Sequence, residues 1–397
     1  MMRLGLLVGH LLLPLLLLLQ LPSRRGHAST KTAIITKSQY KGGLQRLTEL
    51  NNLECATLLT REDVVHHRDS ENMYIVSSTK HGQENEVLGL SPLVSSIRCS
   101  GELIASGSTG KELLEEIQSL QPIVEDQWSI YFECLQTSNK KSEGKSKKGF
   151  SSKTIMCGIA NILRQGTFSL DPDCYTDIFG IFETSTGLHL VRIDQSNRIE
   201  DNFERYKKSW ARRPFQYSAS LSFDASVCAV NILRCMVLDR FAPYDEKTLL
   251  DPCCGAGTNL ITARRVGFRT VVGMDINPNC IDGCMQNLRH ENLLEERNVI
   301  LDCVDSTLHL GKDKSDDCAV HAVIANLPWG NNAKDYYGQN TLILEKVKKR
   351  VATGTPCIFI SHITQDLENS LRKDGWFEIV HIVPFGSGEN MYICVTM

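Results

Sequence analysis

Little in this chain marks its compartment or its partner outright. It contains no Asn-x-Ser/Thr sequon, so it carries no acceptor site for N-glycosylation. It has no large excess of either charge: 43 Lys and Arg against 46 Asp and Glu leave a formal −3, so a polyanion would have to be met by a local patch, not by the field of the whole molecule. Beyond residue 21 no apolar run approaches membrane length. Cysteine is plentiful by contrast, with fifteen residues. Their number is odd, they are scattered, and Cys253 and Cys254 are adjacent inside a glycine loop, which is not a disulfide framework. Cys280 and Cys284 have metal-like spacing but lack a second pair, so they read as buried helix cysteines and no metal is expected.

A chain of 397 residues, 42% hydrophobic and 22% charged, is too long for one ordinary core, and two domains are expected. It opens on Met1-Met2-Arg3, a Leu-rich run from Leu4 to Leu21, and PSRRGHAST. Residues 1–30 therefore read as a hydrophobic leader: a secretory signal, an uncleaved anchor, or a start set too far upstream. Membrane contact is expected only through this leader. It implies ER-routed or organelle targeting, whereas the cysteine usage of the body implies a reduced compartment.

Residues 31–193 mix short helical pieces such as KELLEEIQSL with strand-like ones such as MYIVSS and WSIYFECL, which predicts a smaller α+β domain. Its Lys-rich insert at 137–149, without an apolar residue, reads as a solvated loop. A helix TIMCGIANILRQG and a hairpin turning at Thr186-Gly187 are expected to close the domain. Residues 194–221 form a polar connecting segment. From 222 to 397 strands and helices alternate, TLLD to NLITARRVG to TVVGMDI and onward, which predicts a parallel sheet covered on both faces with an antiparallel hairpin, FEIVHIVPFG and MYICVTM, at one edge.

The first strand of that sheet runs into LLDPCCGAGTNL. Gly255 and Gly257 let the backbone turn tightly and approach a ligand, the helix start beyond them offers unpaired N–H groups, and Asp251 supplies an anion. Asp275, ending the second strand, can accept two ribose hydroxyls, and Asp305, expected to close the third strand, can accept an adenine amino group. Carboxylates at three successive strand ends suit an adenosyl ligand without phosphates and suit ATP poorly. The fourth apolar run ends in Asn326-Leu327-Pro328-Trp329-Gly330, a turn sequence that also places an amide and an indole at a strand end.

These stretches together resemble one family. DPCCGAGT, Asp251 to Thr258, is similar to the first motif of Rossmann-type S-adenosyl-L-methionine-dependent methyltransferases, in the Asp-Pro-x-Cys-Gly-Ser/Ala-Gly-Thr form of the UPF0020-like RNA methylases. NLPWG resembles the Asn/Asp-x-Pro-aromatic motif of amino-methyltransferases, and RRPFQYSASLS, Arg212 to Ser222, resembles the element preceding the catalytic domain in THUMP-type tRNA guanosine-N2 methylases. Leu327 stands where the commonest form has a second proline, and Trp329 where it has Tyr or Phe.

The resemblance implies a seven-stranded Rossmann-type methyltransferase sheet, its last strand antiparallel, and S-adenosyl-L-methionine as cofactor. Asp251, Pro252, Cys254, Gly255, Ala256, Gly257, Thr258, Asp275 and Asp305 would bind it. Asn326, Leu327, Pro328 and Trp329 would be catalytic, the Asn326 oxygen and the Leu327 carbonyl accepting the hydrogens of an exocyclic amino group while Trp329 stacks on the base. The implied reaction is methylation of guanosine N2 in tRNA or another structured RNA. An alternative is a DNA adenine-N6 or protein glutamine-N5 methyltransferase, and a non-enzymatic one is the cofactor-binding scaffold of a methylase complex. A small activating subunit is implied as a partner. The N-terminal region resembles a divergent THUMP-like module or is an unrelated cap. His66, His67 and His362 have no comparable context.

Overall fold

The computed structural model describes residues 31–36, 48–59, 64–70, 73–78, 97–120, 127–135, 151–163, 167–168, 177–193, 199–238, 247–294, 297–308, 310, 319–328, 336–362, 365–385 and 389–397. The leader, the Lys-rich insert and Trp329 lie outside them.

The first half forms an eight-stranded mixed sheet in the order β2-β3-β1-β4-β8-β7-β5-β6. Its strands are β1 (Lys31–Thr36), β2 (Val64–Ser70), β3 (Met73–Ser78), β4 (Ile97–Gly107), β5 (Gln127–Cys134), β6 (Thr167–Phe168), β7 (Asp177–Glu183) and β8 (Leu188–Ile193). Helices α2 (Gly110–Leu120) and α3 (Ser152–Ile162) bury Leu113, Ile117, Ile155 and Ile159 on a core with Trp128, Phe179 and Leu190. The expected hairpin is β7–β8. Thr184 closes it, its backbone N–H donating to the Gly187 carbonyl at 2.8 Å and its hydroxyl receiving the Gly187 N–H at 3.1 Å.

The second half forms a seven-stranded sheet in the order β11-β10-β9-β12-β13-β15-β14. Its strands are β9 (Thr248–Asp251), β10 (Thr270–Asp275), β11 (Val299–Cys303), β12 (Ala322–Asn326), β13 (Pro356–His362), β14 (Phe377–Phe385) and β15 (Glu389–Thr396). The expected α/β class, with a last antiparallel strand, is what the structure has. The closing hairpin lies at one edge as expected: β15 runs between β13 and β14, antiparallel to both, and buries Tyr392, Ile393, Cys394 and Val395. The edge falls to β14, whose Pro384 is tolerable there.

Along the chain, α4 (Ile199–Ala211) and α5 (Phe223–Leu238) come between the two sheets, followed in the second half by α6 (Thr258–Val266), α7 (Pro278–His290), α8 (Tyr336–Arg350) and α9 (Gln365–Arg372). α5 is apolar nearly all round, with Val227, Cys228, Ala229, Val230, Ile232 and Leu233 buried, because it is covered on one side by the sheet and on the other by α1 (Thr48–Leu59). Within the stretch read as a polar connection, 13 residues form helix α4. Phe203 and Trp210 of α4, seven apart, are buried on one face, a periodicity hidden among charged neighbours. No described helix is long and apolar enough to cross a membrane.

Candidate active site

Sheet register brings the site residues together. In the parallel ladder Val323 sits opposite Leu250, so Asn326, three residues on, stands level with the turn beyond Asp251. Gly273 sits opposite Asp251, which puts Asp275 at the same height. Both lie at the carboxyl edge, where the strand order reverses between β9 and β12. Asp275 is opposite Cys303, the last residue of β11. Asp305 therefore does not close the third strand. The ladder ends one residue beyond Cys303, with the Val304 N–H donating to the Asp275 carbonyl at 3.1 Å, and Asp305 belongs to the following turn, its Oδ1 receiving the Thr307 N–H at 2.9 Å and the Thr307 hydroxyl at 2.6 Å.

The turn from Asp251 to Thr258 is held from several sides. The Cys254 N–H donates to the Met274 carbonyl at 2.8 Å and the Gly257 N–H to the Cys254 carbonyl at 2.8 Å. The Ser306 hydroxyl donates to the Pro252 carbonyl at 2.6 Å. Asn287 of α7 donates to the carbonyls of Ala256 and Phe215, each at 2.9 Å. Gly255 and Gly257 have φ of 51° and 83°, the left-handed region that side chains resist. Gly257 is the N-cap of α6 and has no side chain to cap with, so the first N–H groups of the helix keep their donor capacity toward the turn.

The three carboxylates converge but do different work. Asp251 is 1% exposed, and both its oxygens face protein donors, Oδ1 the Cys253 N–H at 3.0 Å and Oδ2 the Asn259 amide at 2.9 Å. Burial pushes its carboxyl up to about 7, against the two hydrogen bonds, with Asp275 adding to the rise. It organises the turn and does not project an anion from it. Asp275 receives the Gly255 N–H on Oδ2 at 3.0 Å and the Asn277 N–H on Oδ1 at 2.9 Å. One donor on each oxygen leaves lone pairs for two hydroxyls. Burial raises its carboxyl above the ordinary range as well, against those two bonds. Cys253 lies within reach of all three: burial first, then Asp251, Asp275 and Asp305, push its thiol well above the usual value, so it is an inert wall of the site. The Cys254 thiol is pushed up by its hydrogen bond with Cys284 and by burial.

Asn326 is the most informative residue. Its amide nitrogen donates to the Ala219 carbonyl at 2.9 Å. A carbonyl can only accept, so this bond fixes which end of the amide is nitrogen. The other end, Oδ1, is buried and has no hydrogen-bond partner among the described residues. Next to it, Leu327 is buried and its N–H donates to the Ile360 carbonyl at 2.9 Å, which anchors the peptide that leads to Pro328.

Some residues near the site were not individually predicted. Tyr217 lies over Gly255, where an added Cβ would stand 3.4 Å from its Cδ1, and stacks on Phe215 at 6.4 Å between ring centroids with the rings 12° from parallel. Ile276, directly after Asp275, is 67% exposed and presents apolar surface beside that carboxylate. Asn287 and Ser306 tie the turn down. The segment RRPFQYSASLS was noticeable by sequence, but nothing in it says that Tyr217 and Ala219 are the residues that reach the site. Among the described residues no group of three or more His, Cys, Asp or Glu could hold a metal ion.

The comparisons with known proteins bear on the same half. Residues 246–367 match the family model of RNA cap guanine-N2 methyltransferases. A tRNA (guanine(10)-N2)-dimethyltransferase of Methanothermobacter thermautotrophicus is 33% identical over 122 residues, 31% of this chain and 31% of the relative. A ribosomal protein L11 methyltransferase of Aliivibrio salmonicida is 24% identical over 188 residues, 38% of this chain and 60% of the relative. The matched stretch thus spans about a third of the first relative and under two thirds of the second. In three dimensions, TrmN from Thermus thermophilus superposes with a TM-score of 0.52 at 13% identity, over 92% of this chain and all of that one. The likeness of fold extends across both sheets, beyond the methylase-like half.

Proposed function

We propose that the protein is an S-adenosyl-L-methionine-dependent RNA methyltransferase acting on an exocyclic amino group, guanosine N2 in tRNA or another structured RNA. The observation that carries this is the buried, unpartnered Oδ1 of Asn326. An amide oxygen left unpaired in a protein interior costs about 1–3 kcal/mol, and such a cost persists where the group has work to do. An exocyclic amino group presents two hydrogens and a lone pair delocalised into its ring. Accepting one hydrogen at Asn326 Oδ1, and the other at the Leu327 carbonyl, favours a pyramidal nitrogen with its lone pair free to attack. Pro328 restricts the backbone beside that carbonyl.

The residues present fit the cofactor. Asp275 has acceptor capacity for both ribose hydroxyls, Ile276 offers an apolar face, the Gly255–Gly257 turn admits close backbone approach, and Asp251 to Thr258 contains no basic residue that would seek phosphate. Bound S-adenosyl-L-methionine supplies a methyl group already activated on a sulfonium. The chain itself contributes placement: the turn and Asp275 hold one reactant, and Asn326 and Leu327 orient the amino group of the other.

Incubation with methyl-labelled cofactor and separate RNA, DNA and protein fractions tests the reading. Label should enter RNA and appear as N2-methylguanosine on nucleoside mass spectrometry. Replacing the target guanosine by inosine, which lacks only the N2 amino group, should abolish it. Label confined to protein or DNA would defeat the RNA assignment.

A further inference from the structure

Helix α4 carries a charge pattern that the methyl-transfer chemistry leaves unused. From Arg205 to Arg213, RYKKSWARR contains five basic residues and no acidic one, within a chain of net charge −3. The burial of Phe203 and Trp210 fixes the rotation of the helix, since a separation of seven returns to the same face. Arg205 and Lys208 share the opposite face, Arg212 follows one residue past the helix end at the next spacing of four, and all three are exposed.

Two of the five cations are accounted for internally. Lys207 pairs with Asp224 at 2.9 Å. Arg213 lies 4.1 Å over the Trp210 ring and donates to the Trp210 carbonyl at 3.1 Å. The outward three meet no carboxylate among the described residues. Arg205 leans on the Tyr206 ring at 4.8 Å and donates to the Asn202 side chain at 3.3 Å, both uncharged partners. Lys208 and Arg212 pair with no carboxylate among the described residues, Glu204 four positions before Lys208 included. Like charges in a row along one face repel, and a polyanion relieves that. The row runs about 10 Å along the helix and ends where the chain turns toward the site: five residues past Arg212, Tyr217 lies over Gly255, and the carbonyl of Ala219 holds Asn326.

We propose that Arg205, Lys208 and Arg212 form a phosphate-binding rail that takes the sugar–phosphate backbone of the RNA substrate and leads it toward Asn326. The inference rests on the RNA methyltransferase reading above. Charge complementarity selects the occupant: exposed cations at regular spacing beside a site with an acceptor for a base amino group fit a nucleic acid strand. Contacts of this kind position the strand and carry no sequence information.

Unfractionated tRNA with a fluorescent label is therefore a suitable probe for the full chain. Lys208→Ala/Arg212→Ala should weaken tRNA binding ten-fold or more at low salt and reduce the slope of log affinity against log salt by about 1 to 2, with affinity for S-adenosyl-L-methionine unchanged by calorimetry. Lys208→Arg/Arg212→Lys should bind tRNA as the wild type does, which separates charge from local packing. Should the double alanine variant lose its cofactor, each single replacement carries the same expectation at about half the change in slope. Wild-type tRNA affinity and salt slope in a cofactor-competent alanine variant would overturn the rail and leave the methyltransferase reading standing. A wild-type chain that binds no tRNA and methylates only protein would overturn both.

Discussion

Asn326 is tied at its nitrogen, and its buried oxygen has no hydrogen-bond partner among the described residues. If Oδ1 accepts the amino hydrogen as proposed, its contact strengthens as the nitrogen becomes pyramidal, and Asn326→Ala should lower kcat by roughly two orders of magnitude. Cofactor affinity should barely change, and a variant with wild-type kcat would remove Asn326 from the mechanism. Asp275 has the converse signature. Its carboxyl is raised by burial, so acidification protonates it at a pH above the ordinary 3.8 and takes away acceptors for the ribose. Cofactor binding should therefore weaken on acidification at a higher pH than an ordinary carboxylate would give, and Asp275→Ala should bind ten-fold or more weakly with that pH dependence gone, both read by calorimetry. Asp251 affects stability instead. Its folded-state value, about 7, lies above the ordinary 3.8, so between those limits the folded state holds a proton that the unfolded state has released. Its contribution is fully present below 3.8, declines as pH rises to about 7, and is flat beyond. Urea denaturation across that range should show a decline in the wild type that Asp251→Asn lacks.

At the scale of elements, the turn between β9 and α6 is shaped by what its glycines omit. Gly257 has φ of 83°, and a Cβ there would stand 2.5 Å from the Cys284 sulfur of α7. Gly257→Ala should cost about 2–3 kcal/mol, about 1 of it from the left-handed backbone and the rest from the clash. In a Cys284→Ala background the clash term goes and the backbone term stays, so the cost should fall by about half. Equal costs in both backgrounds, by chemical denaturation, would show that α7 does not crowd the turn. The buried thiols of this region, Cys254 and Cys284 among them, are packing elements in this account. α7 needs little help to start where it does: Asn277 caps it, accepting the Asn279 N–H at 3.0 Å, with Pro278 in the first turn.

At the scale of the molecule, the two halves share a core. Leu50 of α1 is in one cluster with Phe203, Val230, Leu249 and Ile393. Glu54 of α1 is fully buried, its Oε1 receiving the Asn231 amide at 2.5 Å and its Oε2 the Cys228 thiol at 3.5 Å. Glu54→Ala should destabilise the chain by about 3 kcal/mol, because Asn231 would lose a buried acceptor. With Asn231→Ala in a double-mutant cycle it should show a coupling of about 1 kcal/mol or more, and strictly additive effects would dismiss the contact as a lock. Local pattern alone determined a good deal here. Alternating strands and helices determined the α/β class, and DPCCGAGT with Gly255 and Gly257 determined where a ligand-binding turn would fall, because turn chemistry and hydrophobic period are properties of neighbours in the chain. Tertiary structure decided the rest. β15 runs between β13 and β14 because its apolar residues need sheet on both sides. Asp251 turns inward because Cys253 and Asn259 occupy its oxygens, and Asn326 keeps a bare oxygen because Ala219, 107 residues earlier, has taken its nitrogen. Such outcomes depend on which distant groups meet, and the spacing of residues along a chain does not encode that.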